Sequence, residues 1–204
     1  MNTLAHHDIG EETIDLLQRL IALASVNDLT PDSGNEEAAA DLFESFFDGL
    51  PVEVERIEPH PGRTTLVVTL RGSDPSAQPL TFLGHTDVVP VDEKHWTHPP
   101  FAGQISEGSI WGRGSVDMLH LTAAMAVVTR RLAEEVSRGG ARPAGTLTFV
   151  AAADEEARGG LGVPWIGKHR ADAFPWDAQL SEMGGAHIRG ARGKDSVVVI
   201  VGEK

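Results

Sequence analysis

The sequence predicts an α/β fold built on a largely parallel sheet. Three observations predict it. Short apolar runs of strand length alternate with longer segments whose apolar residues recur at helical spacing. The runs Pro79–Gly84 (PLTFLG) and Thr146–Ala153 (TLTFVAAA) are almost continuously apolar, as strands buried on both faces are. Both runs, and Asp177–Ser181 (DAQLS) after them, end in metal-binding side chains: His85-Thr86-Asp87, Asp154-Glu155-Glu156 and Glu182. Ligands of open α/β sheets bind outside the carboxyl ends of the strands. The three ends therefore predict one site assembled from distant parts of the chain.

The elements follow in order. Glu11–Ala24 carries Ile14, Leu17, Leu20, Ile21 and Ala24 at the spacing of an amphipathic helix. Pro31-Asp-Ser-Gly34 is a turn cluster. Asn35 is the expected cap of a second helix, with Glu36 and Glu37 in its positive first turn and Ala39, Leu42, Phe43 and Phe46 as its apolar stripe. Val52–Ile57 alternates like a strand exposed on one face, and Thr64–Leu70 is a second strand. Pro79–Leu83 reads as a buried parallel strand, and Val88–Gly114, broken by prolines and glycines, as mostly loop. Asp117–Arg138 is the strongest helix, with Leu121, Ala124, Met125, Val128, Leu132 and Val136 in helical register and Gly139-Gly140 as its stop. Gly145–Ala153 is a buried strand, Gly160–His169 a short helix, and Ala178–Ser181 and Ser196–Val201 strands.

Composition narrows the function. The 204 residues read as one domain, large enough for a stable core. A net charge of −13 argues against nucleic acid, which needs an excess of Lys and Arg. The absence of cysteine removes thiolate nucleophiles and thiolate zinc sites, and leaves any zinc to His and carboxylate ligands. No apolar run approaches the roughly 18–20 residues of a membrane span, and the first residues lack a secretory pattern, so the expectation is a cytoplasmic protein with no membrane partner.

Each candidate has an ordinary reading beside the chemical one. Glu155 and Glu156 at a strand end form either a ligand and a general base or a solvated acidic turn. In His85-Thr-Asp87 the aspartate can accept the second ring N–H and fix the tautomer for metal binding; the alternative is a satisfied strand-end histidine. Asp117 at the start of the long helix reads as a ligand or an N-cap, and Glu182 as a ligand or a surface carboxylate.

Together the motifs form a pattern. G-H-x-D-V-V-P at 84–90, W-x-x-x-P-F at Trp96–Phe101, G-R-G-x-x-D-M at 112–118, D-E-E at 154–156 and E-x-G-G at 182–185 resemble the M20 family of di-zinc metallopeptidases and amidohydrolases. Ser33-Gly-Asn-Glu36 also resembles the family's N-terminal turn. The resemblance implies a zinc-exopeptidase-like three-layer domain and two zinc ions, for which cobalt or manganese can substitute. It implies His85 and Glu182 on one zinc, Asp117 bridging, Glu156 on the second, Glu155 as general base towards a zinc-bound water, and Asp87 orienting His85. The implied reaction is hydrolysis of an amide bond in a small peptide or N-acyl amino acid, at a C-terminal carboxylate. Gly114–Met125 is closer to the peptidase members than to the deacylases. A homodimer is implied for the full-length form.

Two departures qualify it. Leu119-His120 stand where the family usually has Lys-Gly, which points to altered packing or substrate preference rather than lost metal, with His120 left out of the ligand set. Members are also about twice as long, with a lid domain and a later His ligand. The expectation is that residues 1–204 are the N-terminal portion of the catalytic domain, with the sheet incomplete at its C-terminal end. The competing reading is a catalytically incompetent fragment that binds at most one metal or complements a missing C-terminal half. A serine hydrolase is disfavoured, since no G-x-S-x-G elbow is present.

Overall fold

The computed structural model describes residues 8–182 except 31, 158 and 159, together with the backbone of Ala186–Arg189 and Asp195–Val198. Helix α1 (Ile9–Ala22) starts where Asp8 accepts the amide of Gly10 at 2.9 Å. It buries Leu16, Leu17, Leu20 and Ile21, while Ile14 faces outward. Helix α2 (Glu37–Phe47) buries Ala39, Ala40, Phe43, Phe46 and Phe47. Asn35 does not cap it. Its backbone is left-handed (φ 53°), and the cap position falls to Glu36, which makes no side-chain capping bond. Glu36 is instead committed to Arg63, 2.7 Å away.

Strands β1 (Glu53–Ile57) and β2 (Thr65–Leu70) pair antiparallel, and β3 (Leu80–His85) follows. The expected loop after β3 holds more structure than its prolines and glycines suggest: a 3-10 turn at Glu93–His95 and a hairpin of β4 (Gln104–Ser106) and β5 (Ser109–Trp111). Then come α3 (Leu119–Ser137), β6 (Leu147–Ala152), α4 (Val163–His169) and β7 (Gln179–Leu180). A separate ribbon pairs β8 (Ala186–Arg189) with β9 (Asp195–Val198). Of the strand expected at Ser196–Val201, residues 199–201 lie outside the described residues.

The main sheet has the order β1-β2-β6-β3-β7. β3 is parallel to both β6 and β7, and β2 is antiparallel to both β1 and β6. Four strands thus run one way and β2 alone opposes them, a largely parallel sheet. Alternate residues of a strand face opposite sides, and the core divides accordingly. Leu66, Val68, Phe149 and Ala151 pack against α1, α2 and α3. Val67, Val150 and Ala152 point the other way, towards Ile166 of α4 and Phe174. The result is three layers, with helices on both faces of the sheet.

Helix α3 buries only part of its expected apolar stripe. Leu119, Thr122, Ala123, Met125, Ala126, Val127, Thr129 and Ala133 face inward, so Met125 of the expected stripe is buried, whereas Val128 is exposed. Small side chains there admit the close approach of α3 to α1 and β3. The two buried threonines are satisfied by backbone carbonyls: Thr122 Oγ1 donates to His85 O at 2.9 Å and Thr129 Oγ1 to Met125 O at 2.8 Å. Among the described residues no helix is long and apolar enough to cross a membrane.

Candidate metal centre

Register brings the three strand ends together. His85 of β3 lies beside Ala152, the last residue of β6, and Phe82 lies beside Leu180 of β7. The residues just past each end, Asp87, Glu155, Glu156 and Glu182, therefore emerge along one edge of the sheet. Asp117 arrives from the opposite direction, on the turn before α3. Gly114 makes that turn possible: its φ is +84°, and a Cβ there would sit 2.5 Å from Leu119 and 2.7 Å from Val88. Asp117 is not a helix cap, because α3 begins at Leu119 with Met118 in the cap position; the Asp117–Met118 peptide is cis.

His85 Nε2 is the focus. It lies 3.3 Å from Asp117 Oδ1, 3.6 Å from Glu182 Oε2 and 3.8 Å from Glu155 Oε2. The donor atoms of His85, Asp117 and Glu182 all fall within 4.8 Å of one another. One imidazole nitrogen among carboxylate oxygens is a donor set suited to a divalent cation. Glu156 stands outside this trio, although its charge interacts with those of His85 and Asp117. On its far side, His85 Nδ1 meets the backbone carbonyl of Asp87 at 3.0 Å and Asp87 Oδ1 at 3.4 Å. Both neighbours are acceptors, so Nδ1 carries a proton, and Nε2, which faces the carboxylates, is the nitrogen that a metal ion would take in place of its own proton. The orienting contact expected from the Asp87 carboxylate is thus shared with the carbonyl of the same residue.

Electrostatics reflect a crowd of negative charge. Burial opposes a charged imidazole, but Asp87, Glu155 and Glu182 outweigh it and raise His85 to about 9. Partial burial, with the neighbouring carboxylate of Asp117, pushes Glu182 above the usual carboxylate range. Burial does the same to Glu156, reinforced by Asp117, Asp87 and Glu155. Asp87 moves the other way. Burial would raise it, but hydrogen bonds from His85 and Asn27 prevail and hold it low.

Four residues that the motif reading did not assign to the site lie behind it. Asn27, Glu36, Arg63 and Asp154 are buried together under the strand ends. Glu36 lies in a quoted motif, and Asp154 opens the D-E-E triplet; Asn27 and Arg63 carry no local signal. The remaining described histidines lie elsewhere: His60 near Asp32, His95 near Asp92, His98 against Trp111 and His169 stacked on Trp165. His120 sits in the first turn of α3, outside the donor trio. His6, His7 and the side chain of His187 lie outside the described residues.

A profile of peptidase family M20/M25/M40 matches residues 81–201, more than half of the chain. The chain belongs to this family. Solved M20 structures share its fold. A metallo-carboxypeptidase from Sulfolobus solfataricus aligns over 90% of this chain and 39% of its own, with 20% identity and a TM-score of 0.64. Human carnosine dipeptidase 1 aligns over 84% and 38%, with 19% identity and a TM-score of 0.60. A dinuclear metal-binding M20 peptidase from Bacillus subtilis aligns over 80% and 40%, with 16% identity and a TM-score of 0.51. The chain thus spans about two-fifths of the length of these relatives. The M20 motif W-x-x-x-P-F has a packing role here: Arg113 lies over the Trp96 ring at 5.3 Å and Phe101 packs against the larger core.

Proposed function

We propose that this M20 chain carries the metal centre of an amide hydrolase, with a small peptide or N-acyl amino acid as substrate. The observation that carries the reading is the convergence of Asp117, Glu182 and Glu155 on His85 Nε2, within 3.3–3.8 Å. His85 and Glu182 would hold one zinc and Glu156 a second, with Asp117 serving both. The chemistry that bound divalent ions would supply is Lewis-acid polarisation of the scissile carbonyl and a lowering of the pKa of water towards ~7. Glu155 takes the proton of the attacking water and returns it to the leaving nitrogen. Asp87 keeps the His85 proton on Nδ1, so that Nε2 stays available. A cavity of about 320 Å³ is lined by His85, Glu155 and Glu182 together with Leu83, Met118, Val163 and Pro164, which supports room for a substrate beside the centre. The dipeptidase and carboxypeptidase among the relatives support the peptide class.

Glu155→Gln tests the base assignment. It should retain zinc and lose hydrolysis by about 10²–10⁴-fold; full activity in the variant would remove Glu155 from the role.

The length relation to the solved relatives favours a second reading, that residues 1–204 are the N-terminal portion of the catalytic domain and need further chain for turnover. Metal analysis separates the two. Two zinc ions per chain with amidase activity would sink the second reading, and one zinc without activity would support it.

A further inference from the structure

The centre rests on a buried polar cluster that none of its proposed ligands explains. Arg63 and Glu36 are 1% and 0% exposed, and Arg63 Nη1 donates to Glu36 Oε1 at 2.7 Å. Arg63 Nη2 donates to the carbonyl of Thr30 at 2.7 Å and to Asn27 Oδ1 at 3.2 Å. The backbone of Leu29 also donates to Asn27 Oδ1, at 3.1 Å. With donors claiming its oxygen, the Asn27 amide can turn only one way. Its Nδ2 donates to Asp87 Oδ2 at 2.8 Å and to Asp154 Oδ1 at 3.0 Å. Glu36 Oε1 accepts the backbone N–H of Asp154 at 3.1 Å, and Arg63 Nη1 lies 3.7 Å from Asp154 Oδ1.

We propose that Arg63 is a positioning residue for the metal centre, acting through Asn27 and Glu36 on the two loops that carry His85's partner and the Glu155–Glu156 pair. The inference rests on the reading of the centre given above. Both arms of the guanidinium lead to those loops through one intermediate side chain each. Through Asn27, one reaches Asp87, whose carboxylate contacts His85 and accepts the amides of Glu155 and Glu156. Through Glu36, the other reaches the amide of Asp154, one residue before the proposed base. The fork is required as well as the charge. Glu36 and Asn27 lie on different nitrogens of one planar group, and a lysine ammonium is a single point that cannot reproduce both directions. Gly34 leaves room for it: a Cβ there would lie 2.2 Å from Arg63 Nη1. The Asn27 end is held independently by backbone pairing, Asn27 N to Val88 O at 2.8 Å and Val88 N to Ser25 O at 2.9 Å.

Cobalt(II) titration of the 204-residue chain, read by visible absorption, tests this without any need for turnover. The wild-type chain should bind cobalt with a defined ligand-field spectrum. Arg63→Lys should fold, as judged by circular dichroism, bind cobalt about 10–100-fold more weakly and change the spectrum, the scale of loss seen when a metal ligand's support is removed. Asn27→Ser, which leaves the Arg63–Glu36 pair in place, should do the same. Phe149→Ala, a core truncation away from the cluster, controls for general loosening and should leave the spectrum of the folded chain unchanged. If either folded variant binds cobalt with wild-type affinity and spectrum, the positioning role is overturned while the metal centre stands. If both fail to fold, the cluster is a folding element and the proposal is overturned. If the wild-type chain takes up no cobalt, the metal-centre reading itself fails, and the positioning role with it.

Discussion

Asp87 accepts the backbone N–H of Glu155 through Oδ1 at 3.1 Å. Its other oxygen accepts the N–H of Glu156 at 3.0 Å, so one buried carboxylate clamps the turn that presents both glutamates. Asp87→Ala leaves two amides without their acceptor and the Asn27 amide with Asp154 alone. Hydrogen bonds to a charged group are worth roughly 1.5–3 kcal/mol each, and some of that returns through water. Urea unfolding of the metal-free variant should show a loss of about 2–4 kcal/mol. A loss below about 0.5 kcal/mol would mean that the turn holds itself.

Gly84 precedes His85 where β3 passes under α3. A Cβ at this position would lie 2.4 Å from Thr122 Oγ1 and 3.2 Å from Thr122 Cα. Rotation of the hydroxyl relieves the first contact but breaks its bond to the His85 carbonyl; the second requires the helix to move. Gly84→Ala should therefore cost about 1–3 kcal/mol, the usual range for overpacking. Differential scanning calorimetry would register it as a lowered Tm, and an unchanged Tm would show that α3 can give way freely.

The strand ends were legible because each is a local event. A short strand stops and a His or Glu follows within a few residues, although only β6 of the three is buried throughout. The reversed direction of β2 was also within reach, since the short connection from Glu58 to Thr64 cannot hold a parallel crossover. The support behind the site was not legible. Arg63 sits between a glycine and two threonines, and nothing nearby says that it will be buried against Glu36 and Asn27, which are 27 and 36 positions away. The stripe of α3 is legible only in part, for a related reason. Hydrophobic spacing favours Met125, which is buried, and Val128, which is not; what decides the buried face is how closely the helix approaches its neighbours, and that brings Ala and Thr inward beside the apolar residues. Asn35 has the chemistry of a cap, yet it is spent on a left-handed turn that frees Glu36 to face inward.

Phe149 is fully buried at the centre of the sheet. Its ring meets Phe43 edge-on at 5.1 Å and Phe47 at 6.0 Å, which joins β6 to α2. Phe149→Ala removes that contact and opens a cavity, with an expected loss of about 3–5 kcal/mol in urea unfolding. The effect should appear as a lower midpoint at unchanged slope, because the truncation does not alter how much surface unfolding exposes. A shift of less than about 1 kcal/mol would mean that α2 collapses into the space.

Glu134 supplies a pH dependence far from the metal centre. Its carboxylate is 15% exposed and bonds to Arg130 and Arg138, each at 3.0 Å, with Arg131 at 3.8 Å. Arg130 and Arg131 also reach Glu12, so the cluster joins α3 to α1. Partial burial alone would raise the Glu134 pKa, but the arginines prevail and hold it below its ordinary 4.5. A carboxylate depressed in the folded state binds its proton more readily when unfolded. Its stabilisation is therefore complete above the unfolded value of 4.5 and is lost as pH falls through the lower folded value. Glu134→Gln should cost about 1 kcal/mol near neutral pH, a modest figure for a group partly in water. That difference from wild type should hold steady down to about pH 5 and then narrow. Urea unfolding at a series of pH values checks it, and a gap that widens in acid would reverse the assigned sign.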